Sequence, residues 1–533
     1  MANTAEDSGA ARQSARQPGR RAAPVSALPQ QQAGAAYPTV IVLFLISVML
    51  PFNFEVGPVL LNSSRVFIML MIAPAMIRWL SGAAGPHLRA DYMILAFGGW
   101  MLICLVLNQG LSRAGAYWGS QFVEVVGAFF LARAFIVGPG CFLFLVRCYL
   151  LMVMAMLPVA FYENLTGEVI YLDLWRGIPG LLPFNSVEYG TRMGFYRAQV
   201  AFVHPILYGV VVSTAFSLAW LVLKVRGRSV ATRVLASGTV AVATLGSMSA
   251  GPVVAVVGQA GLIFYDWVMR ANAARWKIFF ILVALTYVAI DLYSARSPFA
   301  AVLSRVTFSA STAFNRLRIW DYGTDEVMRN PIFGMGLFTD WIRPAFMPSS
   351  VDNHWLLMAM RYGLPGIALL LGAFLWIIYR ITRKDFNDES LQTIGKGVVF
   401  SMVGVILSLS TVAAFSSTFS LMLFMLGAGA FLLRPEIGAA GAAVPDAPEA
   451  RARGGGMARR AQARGQGTAR ASGGKDRADR QTPPPTARTG ARTDAGADAQ
   501  IDATAEARSA TASRGRYTRF PKGTRPPGGD RAR

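Results

Sequence analysis

Two arginines, Arg316 and Arg318, lie in a polar stretch, residues 315–366, between two long apolar runs. A guanidinium group stays charged and can bind two oxygen atoms at once, which suits diphosphate ligands. The same arginines could instead contact lipid headgroups or pair with Asp321 and Asp325. Their spacing alone leaves an anion site and a structural role equally open.

An earlier polar stretch, residues 163–197, contains three further arginines, Arg176, Arg192 and Arg197, of which Arg192 and Arg197 are candidate anion ligands. His204 follows at the start of the next apolar run. Two arginine-bearing loops on the same face of a membrane protein would favour a shared anionic ligand. Anchoring of the arginines at the membrane interface is the alternative interpretation.

The candidate general bases are His354 and Asp352. Both lie in the later of the two polar stretches, residues 315–366, which we call the second polar stretch. Histidine suits this role because its pKa lies near neutrality. A histidine at the start of a helix can equally be a polar cap. Asp352 could orient the imidazole, act as the base itself, or cap the helix.

Three charged residues lie inside apolar runs at similar predicted depths: Arg65, Glu124 and Arg361. Charges within a membrane are costly and are usually paired or functional. We therefore predict a buried Arg–Glu–Arg cluster, which could be a scaffold or a substrate contact. His354, Met358 and Arg361 are spaced to share one helix face, which would direct Arg361 into a cavity below His354.

The composition indicates a polytopic membrane protein. Of the 533 residues, 54% are hydrophobic and 15% are charged, whereas soluble domains carry about 25% charged residues. The net charge of +22 lies mainly in the tails and short loops, so it does not predict nucleic-acid binding. The three cysteines lie in apolar runs and show no metal-ligand or disulfide spacing.

The apolar runs predict an all-α fold with about 12 transmembrane helices. The predicted spans are 38–52, 58–80, 91–108, 114–137, 141–162, 198–223, 229–247, 250–268, 276–293, 353–379, 394–411 and 414–433. The basic short loops all fall on one side, which predicts cytoplasmic termini. We call the opposite side the outer face. It carries the long loops 163–197 and 294–352, the second of which lies between spans 9 and 10.

Both ends of the chain differ in composition from this membrane domain, residues 37–433. Residues 1–36 are polar and rich in Ala, Gln and Arg, and predict a disordered cytoplasmic tail. Residues 434–533 are rich in Ala, Arg, Gly and Pro and predict a disordered, basic cytoplasmic tail. This second tail could be simply solvated, or it could contact anionic headgroups or an acidic partner.

Four short motifs in the second polar stretch resemble the signature of the O-antigen ligase and polymerase family. They are Arg316-x-x-x-Trp320, Pro331-x-x-Gly334-x-Gly336, Asn353-x-Trp355-Leu356 and Gly363-Leu364-Pro365-Gly366. The chain departs from the family pattern at the base. The family has His-Asn-x-Tyr-Leu, whereas this chain has Asp352 in the histidine position and its histidine, His354, two residues later.

The resemblance implies a bacterial inner-membrane glycosyltransferase that needs no metal or cofactor and acts on the periplasmic side. Its donor would be a glycan on undecaprenyl diphosphate, and its acceptor a glycan or lipid A-core. By position, Arg316 and Arg197 would contact the diphosphate, with Arg318 and Arg192 as further candidates. Asp352 or His354 would be the base.

Within this family, the sequence favours a polymerase of exopolysaccharide or O-antigen repeat units. The alternatives are an O-antigen ligase that uses lipid A-core and, from another class, a transporter of small anions or lipid-linked glycans. Membrane lipids and other polysaccharide export proteins are further candidate partners. We expect no nucleic-acid partner.

Overall fold

The fold is that of a computed structural model, which describes residues 36–56, 59–178, 182–183, 190–293 and 310–437. The predicted tails lie outside these residues, except for Ala36 and residues 434–437. The first part of the predicted large outer loop, residues 294–309, also lies outside them. Every structural statement below concerns the described residues.

Helices dominate the described chain. They are α1 Ala36–Met49, α2 Ser63–Leu80, α3 Arg89–Gln109, α4 Leu111–Phe122, α5 Ala128–Phe135, α6 Pro139–Thr166, α7 Ile170–Arg176, α8 Pro205–Thr214, α9 Phe216–Val225, α10 Val230–Gly246, α11 Ala250–Val268, α12 Arg275–Tyr293, α13 Ala310–Arg329, α14 His354–Arg383, α15 Glu389–Leu409 and α16 Ser416–Gly429. A π-helical turn, Val123–Gly127, joins α4 to α5, and a 3₁₀ turn, Ala430–Leu433, extends α16.

The prediction of an all-α polytopic membrane protein is confirmed. Nine helical segments in the described ranges are long and apolar enough to cross a membrane. Two shorter apolar helices, Tyr37–Met49 and Val230–Gly246, match two more predicted spans. The remaining predicted span, 114–137, coincides with α4, the π turn and α5.

A small antiparallel sheet, which the sequence did not predict, lies between α1 and α2. Strand β1 (Phe52–Val56) pairs with β2 (Val59–Asn62) and with β3 (Leu182–Pro183). The pairing to β3 joins the first part of the chain to the earlier polar loop. Strand pairing between segments this far apart in sequence is a tertiary effect that local hydrophobicity does not report.

Two predicted spans, 58–80 and 198–223, begin too early. The helix of the first starts at Ser63, because the Asn62 side chain caps it by accepting the N–H of Arg65 at 2.8 Å. The helix of the second starts at Pro205, a residue favoured in the first helical position because its missing N–H has no helical partner. The residues before it form the loop that carries the candidate arginines.

Helix α14 is broken at Gly363, whose φ of 69° and ψ of −177° are not helical. In an unbroken helix, the N–H of Leu364 would bond to the Met360 carbonyl, and the N–H of residue 365 would bond to the Arg361 carbonyl. Residue 365 is a proline, which has no N–H. The break therefore frees two carbonyls and one N–H.

The turn at residues 331–336 satisfies all three freed groups. Met335 N–H donates to the Met360 carbonyl at 2.8 Å, and Gly336 N–H donates to the Arg361 carbonyl at 3.1 Å. In return, the N–H of Leu364 donates to the carbonyl of Pro331 at 2.7 Å. We call this contact between residues 331–336 and 360–364 the kink junction. Backbone hydrogen bonds therefore join two of the sequence motifs, the one that begins at Pro331 and the one that begins at Gly363.

Helix α13 packs along α14 and so places the second polar stretch over the membrane helices. A separate apolar cluster holds these parts together, and it includes Ile319 of α13 and Leu356 and Met360 of α14. The two helices approach closely at Gly323, where a Cβ would lie 2.8 Å from a methyl carbon of Leu356. This packing determines where the side chains of α13 can reach.

Candidate anion-binding site

Arg316 lies on α13 beside a small pocket that is partly open to solvent. The pocket is lined by Arg316, Ile319, Trp320, Asp352, Asn353, Leu356 and Ser410. Only 6% of Arg316 is exposed, and its Nε and Nη1 atoms have no hydrogen-bond partner among the described residues. A buried cation with two unused donors is suited to an anionic ligand.

Asp352 faces the same pocket and interacts electrostatically with Arg316. Burial raises the pKa of the Asp352 carboxyl above its ordinary value, while Arg316 and Arg197 act in the opposite direction. Burial lowers the pKa of the Arg316 guanidinium, and Asp352 partly counteracts this. No salt bridge joins the two side chains within the described residues. Their attraction therefore acts across the pocket.

The other two arginines lie in the arginine loop, residues 190–204, and are held at the C-terminal end of α10. Arg192 Nη1 donates to the carbonyl of Met248 at 2.8 Å, and Arg197 Nε donates to that of Ser247 at 3.4 Å. Carbonyls at a helix C-terminus lack helical partners and carry partial negative charge. They therefore hold these guanidinium groups in place.

Two residues at the end of α6, which sequence reasoning missed, shape the arginine loop. Glu163 Oε2 accepts the N–H groups of Gln199 at 2.9 Å and Val200 at 3.0 Å. Val200 has a φ of 50°, an unfavourable conformation for a branched residue. Asn164 Nδ2 donates to the Gly246 carbonyl at 2.8 Å. The sequence did contain a signal for these two residues, because a carboxylate and an amide at the end of an apolar run are often functional or structural contacts.

His204 closes the arginine loop and caps α8. Its Nδ1 accepts the N–H of Ile206 at 3.0 Å. Burial, with Arg197 and Arg192, lowers its pKa to about 4. The ring is therefore neutral near pH 7, and the charge in this region belongs to the arginines.

The arginine loop and α13 contribute to one electrostatic site. Arg192 lowers the pKa of Arg316, and Arg197 lowers the pKa of Asp352. We call Arg192, Arg197, Arg316 and Asp352 the anion site. These four residues comprise three guanidinium groups and one carboxylate, so the site has an excess of positive charge. It suits a ligand with more than one negative charge, such as a diphosphate.

His354 lies outside this pocket. Its side chain is fully buried, and its ring packs 4.4 Å from the ring of Phe419 and 5.7 Å from that of Trp355. Its backbone N–H donates to the carbonyl of Val412 at 3.2 Å. Of the two candidate bases, Asp352 therefore lines the pocket and His354 packs among aromatic rings.

Arg318 also lies away from the pocket. Its guanidinium carbon lies 4.1 Å from the ring centroid of Phe314 and 4.7 Å from that of Phe346. Residues two apart on a helix point in directions about 200° apart. Arg316 and Arg318 therefore cannot both face one pocket from a regular helix, and the structure places Arg318 in a cation–π contact instead.

Within the membrane domain, Arg65 and Glu124 form a buried salt bridge. Arg65 Nη2 and Nε lie 2.7 Å and 2.8 Å from Glu124 Oε1. Glu124 lies on the π-helical turn, a feature that often marks functional sites. Arg361, the third predicted member, makes no ion pair in the part of the chain that the structure describes.

The fold and the site together define a polytopic membrane protein with a positively charged pocket beside a kinked helix. A family model described as O-antigen ligase matches residues 234–371. The matched region contains Arg316, Asp352 and the kink junction, and it supports assignment of the chain to the O-antigen ligase family. No curated protein matches the chain.

This assignment confirms the resemblance. At the level of the family, the activity is glycan transfer of the O-antigen ligase or polymerase type. Together with the apolar helices, it indicates a multi-pass protein of the bacterial inner membrane. Arg192 and Arg197 lie before the matched region, so the match itself does not cover them.

Proposed function

We propose that the protein transfers a glycan from an undecaprenyl-diphosphate carrier to a sugar hydroxyl on the periplasmic face. In this proposal it polymerises repeat units of an exopolysaccharide or O-antigen. The observation that carries the proposal is the anion site, in which Arg316 and Asp352 line one pocket. Arg192 acts electrostatically on Arg316, and Arg197 acts on Asp352, from a distant loop. A lipid-linked donor also accounts for the position of the site beside membrane helices.

Arg192, Arg197 and Arg316 would bind the diphosphate of the donor. Arg192 and Arg197 are held by backbone carbonyls before any ligand arrives, so little reorganisation is needed. Such preorganised donors stabilise negative charge that develops on a leaving group. Because the guanidinium groups supply fixed positive charge, the proposal includes transfer without a divalent metal ion.

Asp352 would be the general base. The acceptor hydroxyl would attack the anomeric carbon, and its proton would pass to the Asp352 carboxylate. The bond from that carbon to the diphosphate oxygen would break, and the undecaprenyl diphosphate would leave as an anion bound by the arginines. Asp352 lines the pocket and His354 does not, which favours Asp352 for this role.

The orientation of the protein is part of the proposal. The basic loops predicted as cytoplasmic lie at the helix ends opposite to those that lead into the arginine loop and α13. The positive-inside rule then favours cytoplasmic termini and a periplasmic anion site. Arg318 would support the site through its aromatic contacts.

The test uses purified protein and an undecaprenyl-diphosphate-linked glycan, with EDTA present. Release of undecaprenyl diphosphate and the length of the glycan are measured for wild type, Arg316→Met and Arg113→Met. Arg113 is the matched control because it is an exposed arginine of the predicted outer face. We expect Arg316→Met to lower the rate by about 100-fold or more, and Arg113→Met to leave it unchanged.

Three outcomes would change the proposal. Release that requires lipid A-core would identify a ligase. Loss of activity in EDTA that a divalent cation restores would contradict metal independence. If wild type turns over no lipid-linked glycan, yet transport of anions or lipid-linked glycans depends on Arg65, Glu124 and Arg361, the protein is a transporter.

A further inference from the structure

Arg361 is a cation inside the membrane domain that lacks a counter-charge. Its side chain is partly buried and makes no hydrogen bond or ion pair in the described ranges. Its backbone is held firmly, since its carbonyl accepts the N–H of Gly336 in the kink junction. Uncompensated charges in membrane helices are rare and usually face a functional cavity.

The carboxylate of the predicted cluster, Glu124, is already paired with Arg65. Glu124 Oε1 contacts two nitrogen atoms of Arg65 at 2.7 Å and 2.8 Å. One carboxylate therefore serves one of the two arginines. Arg65, Glu124 and Arg361 together retain an excess positive charge.

Arg361 points away from the anion site. On a regular helix, seven residues bring the chain back to within about 20° of the same direction, so Arg361 shares the face of His354. Leu356, which lines the anion pocket and packs against α13, points about 140° away from Arg361. The charges agree with this geometry, because Arg361 interacts with His354 and Tyr362, whereas Asp352 interacts with Arg316 and Arg197.

Tyr362, the residue after Arg361, is held in the bundle by two hydrogen bonds. The hydroxyl of Tyr362 donates to Gln121 Oε1 at 2.5 Å, and its carbonyl accepts the indole N–H of Trp100 at 2.8 Å. Gln121 lies one turn before Glu124 on the segment that carries the π-helical turn. Arg361 thus lies on a backbone that the kink junction holds, and its side chain interacts electrostatically with Tyr362.

We propose that Arg361 forms a second anion subsite, on the opposite face of α14, for a lipid-borne phosphate group. This inference rests on the proposed function, because an enzyme that joins two carrier-linked glycans must hold two lipid diphosphates. The first diphosphate, that of the donor, binds at the anion site. The second, that of the acceptor, binds at Arg361, and α14 separates the two. A phospholipid headgroup carries the same chemistry and is the other source of such a ligand.

The experiment counts bound lipid on the full-length protein by native mass spectrometry, with undecaprenyl diphosphate as the probe. We expect two equivalents for wild type and for the control Arg113→Met, and one equivalent each for Arg361→Met and Arg316→Met. Arg361→Lys, which keeps the charge, should retain two. A single equivalent on wild type, or two on a folded Arg361→Met, would overturn the proposal. Should Arg361→Met fail to fold, Arg361→Gln, which also removes the charge, takes its place with the same expected loss of one equivalent.

Two further arms separate the alternatives. Excess phosphatidylglycerol that displaces only the equivalent dependent on Arg361 would assign the subsite to phospholipid headgroups, and resistance to it assigns the subsite to the diphosphate. In the transfer assay, Arg361→Met should raise the KM for the acceptor by about tenfold or more and leave the KM for the donor unchanged. If no glycan is transferred at all, the proposed function fails, and the lipid stoichiometry still tests the subsite.

Discussion

Replacement of Gly363 by alanine tests whether the kink junction holds the site together. The backbone at Gly363 has a φ of 69° and a ψ of −177°, a conformation adopted almost only by glycine. A Cβ at this position would lie 1.9 Å from the carbonyl oxygen of Ile332, so the turn at residues 331–336 must move away. Gly261→Ala in α11 is the matched control, because its Cβ would meet no atom within 4 Å.

The expected loss of stability follows from two contributions. Forcing a side chain into this backbone conformation costs about 1–3 kcal/mol. Displacing the turn also removes the three hydrogen bonds of the kink junction, each of which contributes about 0.5–1.5 kcal/mol. Gly363→Ala should therefore lose roughly 3–7 kcal/mol, whereas Gly261→Ala should be neutral or slightly stabilising because alanine favours helix.

Thermal unfolding of the purified variants in detergent measures this difference, and glycan transfer measures its effect on the site. Because the kink junction ties the outer loop to α14, we expect Gly363→Ala to unfold at a clearly lower temperature and to lose transfer activity. If Gly363→Ala unfolds at the same temperature as Gly261→Ala, the three backbone hydrogen bonds do not hold the loop. The role assigned to the kink junction would then be wrong.

Three shorter predictions concern the anion site. If Asp352 is the base, the transfer rate should fall as the pH drops through the raised pKa of its carboxyl. Because Arg316 lowers that pKa, Arg316→Met should shift the fall to higher pH. An unchanged pH profile in this variant would contradict the role of Asp352. His354→Phe should keep most of the transfer rate, since its ring packs against Phe419, whereas a loss of about 100-fold or more would assign the base to His354. Glu163→Ala should destabilise the protein by about 1–3 kcal/mol, because two buried N–H groups lose their acceptor, and Glu163→Gln, which keeps an oxygen, should lose less. If Glu163→Ala unfolds at the wild-type temperature, the carboxylate does not hold the arginine loop.

Several features of the fold were predictable because they depend on short stretches of sequence. The twelve predicted spans match helices of the membrane domain to within a few residues in most cases, whereas α7 and α13 lie in the predicted outer loops. The two early starts, 58–80 and 198–223, arose because apolar residues continue into a strand and a loop. Asn62 and Pro205 carried the correct local signals for where the helices begin.

The residues of the candidate site were only partly predictable. Arg316, Arg192 and Arg197 were identified by residue type, and the structure brings them into one electrostatic site with Asp352. Residue type gave no reason to exclude Arg318 from the anion site. Its side chain contacts aromatic rings instead, because it points from α13 in a different direction from Arg316.

The sequence by itself determined that the chain spans a membrane many times and contains an arginine-rich polar stretch of the O-antigen ligase type. The reason is that insertion into a membrane depends on transfer free energies summed over about 20 neighbouring residues, and motifs are equally local. Only the tertiary structure decided which charged groups meet. Asp352 reaches the pocket while His354 does not, and Glu124 pairs with Arg65 rather than with Arg361. Each choice depends on distances of a few ångströms between residues far apart in the chain, which helix packing sets and residue spacing does not.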